Sequence, residues 1–289
     1  MIFNLGSINA DYFYRVKDFP KPGETLSAES FSKALGGKGA NQSVAIAKAG
    51  SKVCHIGCIG DDGAWLRDAM TAFGVDMAHT KTDPDHLTGH AIITIDQAGE
   101  NQIVLHAGAN HQIKETQIGT ALTCVGADDW LVAQNETNLV KFTAALMKEK
   151  GGKVAYSPAP FVADTCLQVL PFVDVVALNE GEALAMTDAL GVSDVSRLNV
   201  PTVLVTKGGQ GGTVFHQGTR IESPGIAVTA KDTTAAGDTF FGYFVSALAQ
   251  GSNIQSAMDL ANTAGALKVT RFGTADAIPT LSEVTSFRP

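Results

Sequence analysis

A chain of 289 residues with 45% hydrophobic content can fill a substantial core, enough for one large α/β domain or two modest ones. Its net charge of -8 and the lack of any Lys/Arg cluster exclude a nucleic-acid surface, whose affinity rests on neutralising phosphates. No uncharged apolar run reaches the roughly 18 residues of a membrane span, and Met1 to Ala10 has no basic n-region or long apolar core, so cytoplasmic residence is expected.

Ile2 to Leu5 reads as a short apolar strand ending at Gly6-Ser7-Ile8-Asn9-Ala10-Asp11. Polar side chains thus follow at the carboxyl edge of a sheet, where α/β folds bind ligands. Tyr12 to Phe19 alternates loosely, Pro20-Lys21-Pro22-Gly23 makes a turn, and Thr25 to Ala34 is polar and extended. Gly89 to Ile95 and Asn101 to His106, joined by residues 96–100, read as a hairpin. Residues 11–35 and 88–107 are therefore expected to form a small β-lid outside the core. Its apolar face would cover a ligand or pair with a second copy, giving a homodimer.

Gly36-Gly37-Lys38-Gly39-Ala40-Asn41 leads into the helical pattern Val44 to Ala49, a glycine-rich helix entry that lets backbone approach a ligand, or simply a tight turn with Lys38 in solvent. From Lys52 strands and helices alternate: Lys52 to Ile59, Trp65 to Phe73, Trp130 to Ala133, Thr137 to Lys150, Lys153 to Tyr156, Asp174 to Leu178, Glu180 to Leu190 and Thr202 to Val205. This βα rhythm predicts a mostly parallel sheet covered by helices on both faces, within a single domain over 1–289. Thr213 to His216 and Arg220 to Val228 look like an antiparallel addition, and helices Thr239 to Ala249 and Ile254 to Val269 close the fold.

Polar residues recur just past the strand ends: Asp11, Glu136, Asn179, and the loop Thr206-Lys207-Gly208-Gly209-Gln210-Gly211. Singly, Glu136 is an ordinary helix N-terminal acid and Asn179 an N-cap. The same alternative holds for the stretch with the most chemical promise, Asp232-Thr233-Thr234-Ala235-Ala236-Gly237-Asp238. Phe240, Phe241, Phe244, Val245 and Leu248 give the following helix one apolar face, so Ala235 to Asp238 form its N-terminus. Unpaired N–H groups flanked by small residues can hold a transferring phosphate, and Asp238 can accept a proton beside it or merely cap the helix.

Cys54, Cys58, Cys124 and Cys166 form no C-x-x-C pair and are expected to be buried free thiols, with His55 a core or surface histidine rather than a metal ligand. Neither H-E-x-x-H, G-x-S-x-G, a Walker A loop nor a dinucleotide G-x-G-x-x-G is present, which removes the corresponding enzyme classes, a nicotinamide dehydrogenase among them.

Taken together, GSINAD at Gly6 to Asp11, FPKPGET at Phe19 to Thr25, GGKGANQ at Gly36 to Gln42, GDD at Gly60 to Asp62, HAGAN at His106 to Asn110, NEGE at Asn179 to Glu182, DTTAAGD at Asp232 to Asp238 and VTRFG at Val269 to Gly273 resemble the ribokinase-like (PfkB) carbohydrate kinases over nearly the whole chain. The resemblance implies an ATP- and Mg²⁺-dependent kinase for the primary hydroxyl of a pentose, D-ribose first. Asp238 would be the general base, and Ala235, Ala236 and Gly237 an anion hole. Asn9, Asp11, Gly37, Lys38, Asn41 and Glu136 would hold the sugar. Asn179, Thr206, Lys207, Gly208, Gly209, Gln210, Gly211, Gly237 and Asn262 would hold ATP, with Glu182 ordering Mg²⁺ through water.

It also implies a monovalent-cation loop built from Asp232, Thr234, the Lys268 carbonyl, Arg271 and Gly273, through which K⁺ would raise the rate. Two residues depart from the family pattern: Ala277 stands where a Ser hydroxyl is common in the cation loop, and Ser157 where Asn or Asp usually precedes the proline. Other acceptors within the same chemistry are 2-deoxyribose, fructose and adenosine. A non-catalytic sugar sensor is the alternative from another class, though pure binding needs no base.

Overall fold

The computed structural model describes residues 1–288; the expected span of 1–289 ends one residue beyond them. The chain enters through β1 (Ile2–Leu5), then leaves for β2 (Asn9–Arg15) and β3 (Ser30–Gly36). Next come α1 (Lys38–Lys48), β4 (Val53–Gly60), α2 (Ala64–Ala72) and β5 (Thr80–Asp83). The hairpin β6 (Gly89–Ile95) and β7 (Asn101–His106) is followed by α3 (Glu115–Ala121). Strands and helices then alternate through β8 (Trp130–Gln134), α4 (Val140–Glu149), β9 (Lys153–Ser157), α5 (Ala163–Val169), β10 (Val175–Asn179), α6 (Glu180–Leu190) and β11 (Thr202–Thr206). The hairpin β12 (Gly211–His216) and β13 (Thr219–Pro224) precedes α7 (Ala236–Ala249), α8 (Ile254–Val269) and α9 (Leu281–Ser286).

Nine strands form one sheet in the order β13-β12-β11-β10-β9-β8-β1-β4-β5, parallel except for β12 and β13. Both faces are apolar because successive side chains point to opposite sides and each side carries helices. On β8, Trp130 and Val132 join the cluster packed by α1, α2, α7 and α8, while Leu131 and Ala133 join the one packed by α3 to α6. Burial of each such large side chain contributes about 1.5–3 kcal/mol, so a parallel strand reads as an unbroken apolar run.

The segments expected to make a lid form a separate sheet, β3-β2-β6-β7, in which β2 and β6 run parallel between two antiparallel neighbours. In β3 the ladder begins only at Ser30, so Thr25 to Glu29 is not strand.

Several local expectations are corrected. Asn9 and Asp11, which follow the carboxyl end of β1, are already part of β2 of the small sheet. Helix α1 starts at Lys38, well before the apolar pattern at Val44, because its first polar residues are buried too. Helix α7 buries every residue from Thr239 to Ala247 instead of one face, since α1 and α8 pack against it. Cys124 is exposed, unlike the other three cysteines. Strand β5 and helices α3, α5 and α9 were not anticipated: each is short, Thr80–Asp83 reads TKTD with no apolar residue to alternate, and the one available signal was the capping box of Thr280 and Glu283 that starts α9.

Candidate active site

The site lies where the carboxyl ends of β1, β8, β10 and β11 meet the N-termini of α1 and α7. The chain order reverses at β1, which has β4 on one side and β8 on the other, and such a switch point leaves a crevice outside the strand ends. At this crevice Gly6 and Gly39 touch: a Cβ on Gly39 would lie 2.4 Å from the Gly6 Cα. No side chain fits at that crossing, so the start of α1 is pressed directly onto the end of β1.

Helix α7 begins from Ala235, whose φ of 57° and ψ of 12° are left-handed. That conformation costs an L-residue roughly 1–2 kcal/mol and is retained where geometry demands it. The turn brings Ala235, Ala236 and Gly237 to the wall of a cavity also lined by Lys38, Ser157, Asn179, Glu182, Thr206 and Asp238, among others. Of the three amides expected to form an anion hole, that of Ala236 is engaged, donating to the Thr233 carbonyl at 3.2 Å. Those of Ala235 and Gly237 have no backbone acceptor among the described residues.

Asp238 is fixed by two side chains of α1: Asn41 Nδ2 donates to Oδ2 at 3.1 Å and Gln42 Nε2 to Oδ1 at 2.9 Å. Burial lifts its pKa above the ordinary carboxylate range, against the pull of Lys38 and these two amides. Gln42 is held in turn. Gln134 Nε2 donates to Gln42 Oε1 at 2.7 Å and to Asn4 Oδ1 at 3.0 Å, while Asn4 Nδ2 donates to Ser43 Oγ at 2.8 Å. The chain ends at His55, which is fully buried, with Nδ1 2.8 Å from Ser43 Oγ and Nε2 3.0 Å from the Gly6 carbonyl. A carbonyl only accepts, so Nε2 carries the proton and Nδ1 takes the serine hydroxyl. Burial pushes the His55 pKa down to about 4, which keeps the ring neutral. His55 is thus a core residue, as expected.

Sequence reasoning missed Gln42, Gln134, Asn4 and Ser43. The available signal was polar residues inside apolar strand and helix patterns, which need partners when buried.

On the other side of Asp238 stand the residues expected to hold a sugar. Glu136 Oε2 accepts from Ser7 Oγ at 2.5 Å and from the Lys38 amide at 3.0 Å, so this carboxylate caps α1, an end that Gly37 leaves without a side-chain cap. Asn9 Oδ1 accepts from Asn110 Nδ2 at 2.7 Å. A Cβ on Gly36 would come within 1.9 Å of the buried Asp11 carboxylate, so glycine is what gives that carboxylate room. Burial and the nearby Glu136 raise the Asp11 pKa to about 7, with Lys38 pulling the other way. Burial disfavours the Lys38 ammonium, but Asp238, Glu136, Glu182 and Asp11 outweigh it and its pKa lies above the ordinary lysine value. Lys38 is not in open solvent. Asn41 Oδ1 is buried without any partner.

A second cavity, about 310 Å³, adjoins the first through Thr206, Thr233, Ala236, Gly237 and Phe240 and is otherwise lined by Gly208, Gly209, Gly211, Gly225, Val228, Asn262 and Ala266, among others. The close approach of Gly225 to the Gly209 carbonyl, 1.9 Å from a would-be Cβ, lets two backbone segments form its wall. Asn262 borders it while clamping β13, with Nδ2 donating to Ser223 Oγ at 2.6 Å. From the glycine-rich loop, Lys207 and Gln210 border neither cavity. Asn179 and Glu182 form a reciprocal capping box on α6, Asn179 Oδ1 accepting from the Glu182 amide at 2.8 Å and Glu182 Oε2 from the Asn179 amide at 2.9 Å. Both also line the first cavity, so capping and the site are compatible roles. Ser157, at the end of β9, lines it as well.

Behind the α7 N-terminus lies the expected cation loop. Asp232 Oδ1 accepts from the Thr234 amide and Oδ2 from the Gly273 amide, each at 2.9 Å. Lys268 was expected to contribute its carbonyl, but its fully buried ammonium reaches the Asp232 carbonyl at 3.1 Å. Burial raises the Asp232 pKa, yet the two amides and Lys268 outweigh it and leave the carboxyl below its ordinary range.

No group of three or more His, Cys, Asp or Glu among the described residues is arranged to hold a metal by itself. No described helix is long and apolar enough to cross a membrane.

Residues 1–281 match the family model described as pfkB family carbohydrate kinase. The chain is 38% identical to ribokinase of Haemophilus influenzae, covering 98% of this chain and 96% of that protein. Among solved structures it resembles ribokinase of Thermotoga maritima, with a TM-score of 0.88 and 31% identity over 99% of this chain and 98% of that one. It also resembles Arabidopsis thaliana ribokinase complexed with ribose and ATP, with a TM-score of 0.87 and 26% identity over 99% of each chain.

Proposed function

Because the chain belongs to the pfkB family of carbohydrate kinases, we propose that it transfers the γ-phosphoryl group of ATP to the primary hydroxyl of D-ribose, giving D-ribose 5-phosphate. Family membership makes it a phosphotransferase with a sugar acceptor; ATP and ribose are the finer reading. The observation that carries this reading is Asp238, a carboxylate oriented by two amides at the mouth of an anion-facing helix end. A sugar sensor has no use for it.

In this reading the sugar lies between Asp11, Asn41 and Asp238. Its hydroxyl protons would satisfy the unpartnered Asn41 Oδ1, a group that costs roughly 1–3 kcal/mol when left bare. Asp238 takes the proton of the attacking hydroxyl, while the Gly237 and Ala235 amides and the Lys38 ammonium stabilise charge on the phosphoryl group in flight. The nucleotide occupies the two joined cavities, with its phosphates against the α7 N-terminus and its base near Asn262.

Mg²⁺ fits as an ion that arrives on the nucleotide. Glu182 spends Oε2 on its capping box, which leaves Oε1 for the ion's water shell. When bound, the ion neutralises phosphate charge.

The test is ADP release with D-ribose, 2-deoxyribose, fructose and adenosine. Ribose is expected to give the highest kcat/KM, by about tenfold or more, and EDTA to stop turnover. A higher kcat/KM for any of the other three would overturn the ribose assignment.

The same reading includes a homodimer through the small sheet. All six residues of β7 are exposed, with Ile103, Val104 and Leu105 at 58%, 70% and 50% and Phe31 of β3 at 55%. An open strand edge with apolar side chains favours pairing with a copy of itself. Light scattering at micromolar concentration is expected to give a dimer mass, and Val104→Asp a monomer; a monomeric parent protein would refute the dimer.

A further inference from the structure

The loop leading into α7 does not fit the monovalent cation that the family resemblance implies. Such an ion needs several oxygens aimed at one point, and here the oxygens of two residues assigned to it, Asp232 and Lys268, are already in use. The Asp232 carbonyl accepts from Lys268 Nζ at 3.1 Å, and the Asp232 carboxylate accepts from the Thr234 and Gly273 amides at 2.9 Å each. The Lys268 carbonyl accepts from the Arg271 amide at 3.0 Å. Ala277, buried beside Gly273, supplies only a methyl group. An added K⁺ would have to share the Asp232 carbonyl with an ammonium that has no solvent exposure, where like charges repel far more than in water.

We propose that the Lys268 ammonium is a built-in replacement for the monovalent cation, holding Asp232 and the loop to Ala235 in place and making the activity independent of K⁺. An ammonium supplies the same unit charge as K⁺ and up to three hydrogen bonds. Lys268 comes from the last turn of α8, so its charge is tethered and takes no binding equilibrium to install. Nζ also lies 4.0 Å from Asp232 Oδ1, close enough to balance the carboxylate that the two loop amides share. Two features unlike a cation site thus occur together: a ligand oxygen is missing at Ala277 and a fixed positive charge has arrived from Lys268. Lys268 acts through the loop and touches no substrate; it is a positioning residue.

The test compares K⁺, Na⁺ and choline at constant ionic strength, reading both turnover and the thermal midpoint. The parent protein is expected to show rates within about twofold and an unchanged midpoint in all three. Lys268→Ala opens the site: its rate in choline should fall by about tenfold or more and recover saturably with K⁺ or methylammonium, and its midpoint should rise with K⁺. Lys268→Met fills the space without charge, so it should lose rate similarly and respond to neither cation.

Activation of the parent protein by K⁺ over choline by more than about fivefold would overturn the proposal. So would a Lys268→Ala variant with full activity in choline. If Lys268→Ala does not fold, Lys268→Met and the parent cation series still decide. The kinetic arm rests on the kinase reading above, but the thermal arm needs no sugar. A K⁺-dependent midpoint in Lys268→Ala alone would therefore support the built-in cation even if ribose were not turned over.

Discussion

Asp238→Asn is expected to lower kcat by about 10²–10⁴-fold while the KM values for sugar and ATP move by less than about threefold. The side chain keeps its shape and loses its basicity, so the loss falls on the proton transfer. The substitution is not silent in the ground state. Asp238 accepts one hydrogen bond on each oxygen, from Gln42 and from Asn41, and a carboxamide has only one acceptor oxygen. One donor is then left facing an NH₂ group, and Gln42 is not free to flip because Gln134 donates to its Oε1. A lowered thermal midpoint of a few degrees, from about 1–2 kcal/mol, is expected beside the kinetic loss. The raised pKa of Asp238 also sets a sign. A general base works when ionised, so kcat/KM should fall as pH drops through that raised pKa, and the Asn variant should lack the limb. Turnover within about tenfold of the parent enzyme would remove Asp238 from the base role.

Asp11→Asn is expected to stabilise the fold at pH 8 and to weaken sugar binding. The carboxyl titrates at 3.8 by its ordinary value and at about 7 in the folded chain. Between those values the folded chain retains a proton that the unfolded chain has lost, so stability falls as pH rises, and the full deficit is present above about pH 7. By linkage the deficit is a few kcal/mol, on the order of 1.4 for each pH unit separating the two values. Asn removes it. Its thermal midpoint should exceed that of the parent by roughly 5 °C or more at pH 8 and match it near pH 4. The sugar KM should rise by roughly 10–100-fold at pH 8, since a hydrogen bond to a charged group is worth about 1.5–3 kcal/mol. No gain in midpoint at pH 8 would show that Asp11 does not destabilise the fold, and an unchanged KM that it does not hold the sugar. A carboxylate kept at such a cost is what a binding site needs and a stable fold does not.

Much of the large sheet was legible in the sequence because its strands are buried on both faces and read as unbroken apolar runs, as at Thr202–Thr206. The hairpin Gly89–Ile95 and Asn101–His106 was legible to the residue through its turn chemistry. The misses share a cause. Asn41 to Ser43 is polar and yet helical and buried, because its side chains serve Asp238 and the amide chain behind it rather than the core. Periodicity of apolar residues is blind to that. Asp238, Asn41, Asp11, Glu136 and Lys38 were picked out as candidates and do come together, as far as strand ends and glycine-rich helix starts can place them. What no spacing rule reports is where a side chain reaches, and the contact of the Lys268 ammonium with the Asp232 carbonyl was therefore not foreseen.

The unequal burial of α7 and β7 has a consequence for how the molecule breathes. Backbone amides from Phe240 to Val245 lie in a helix enclosed on all sides, and their exchange with deuterated solvent requires opening of the core itself. Those of β7 sit on an exposed edge and can exchange through detachment of one strand. A molecule caught in such a partial opening keeps Asp238 and the start of α7 in place while the sheet that carries Asn9 and Asp11 loosens. Protection factors measured along the chain should then fall into two tiers, the slow tier containing Phe240 to Val245 and the fast tier the outer strands of the small sheet.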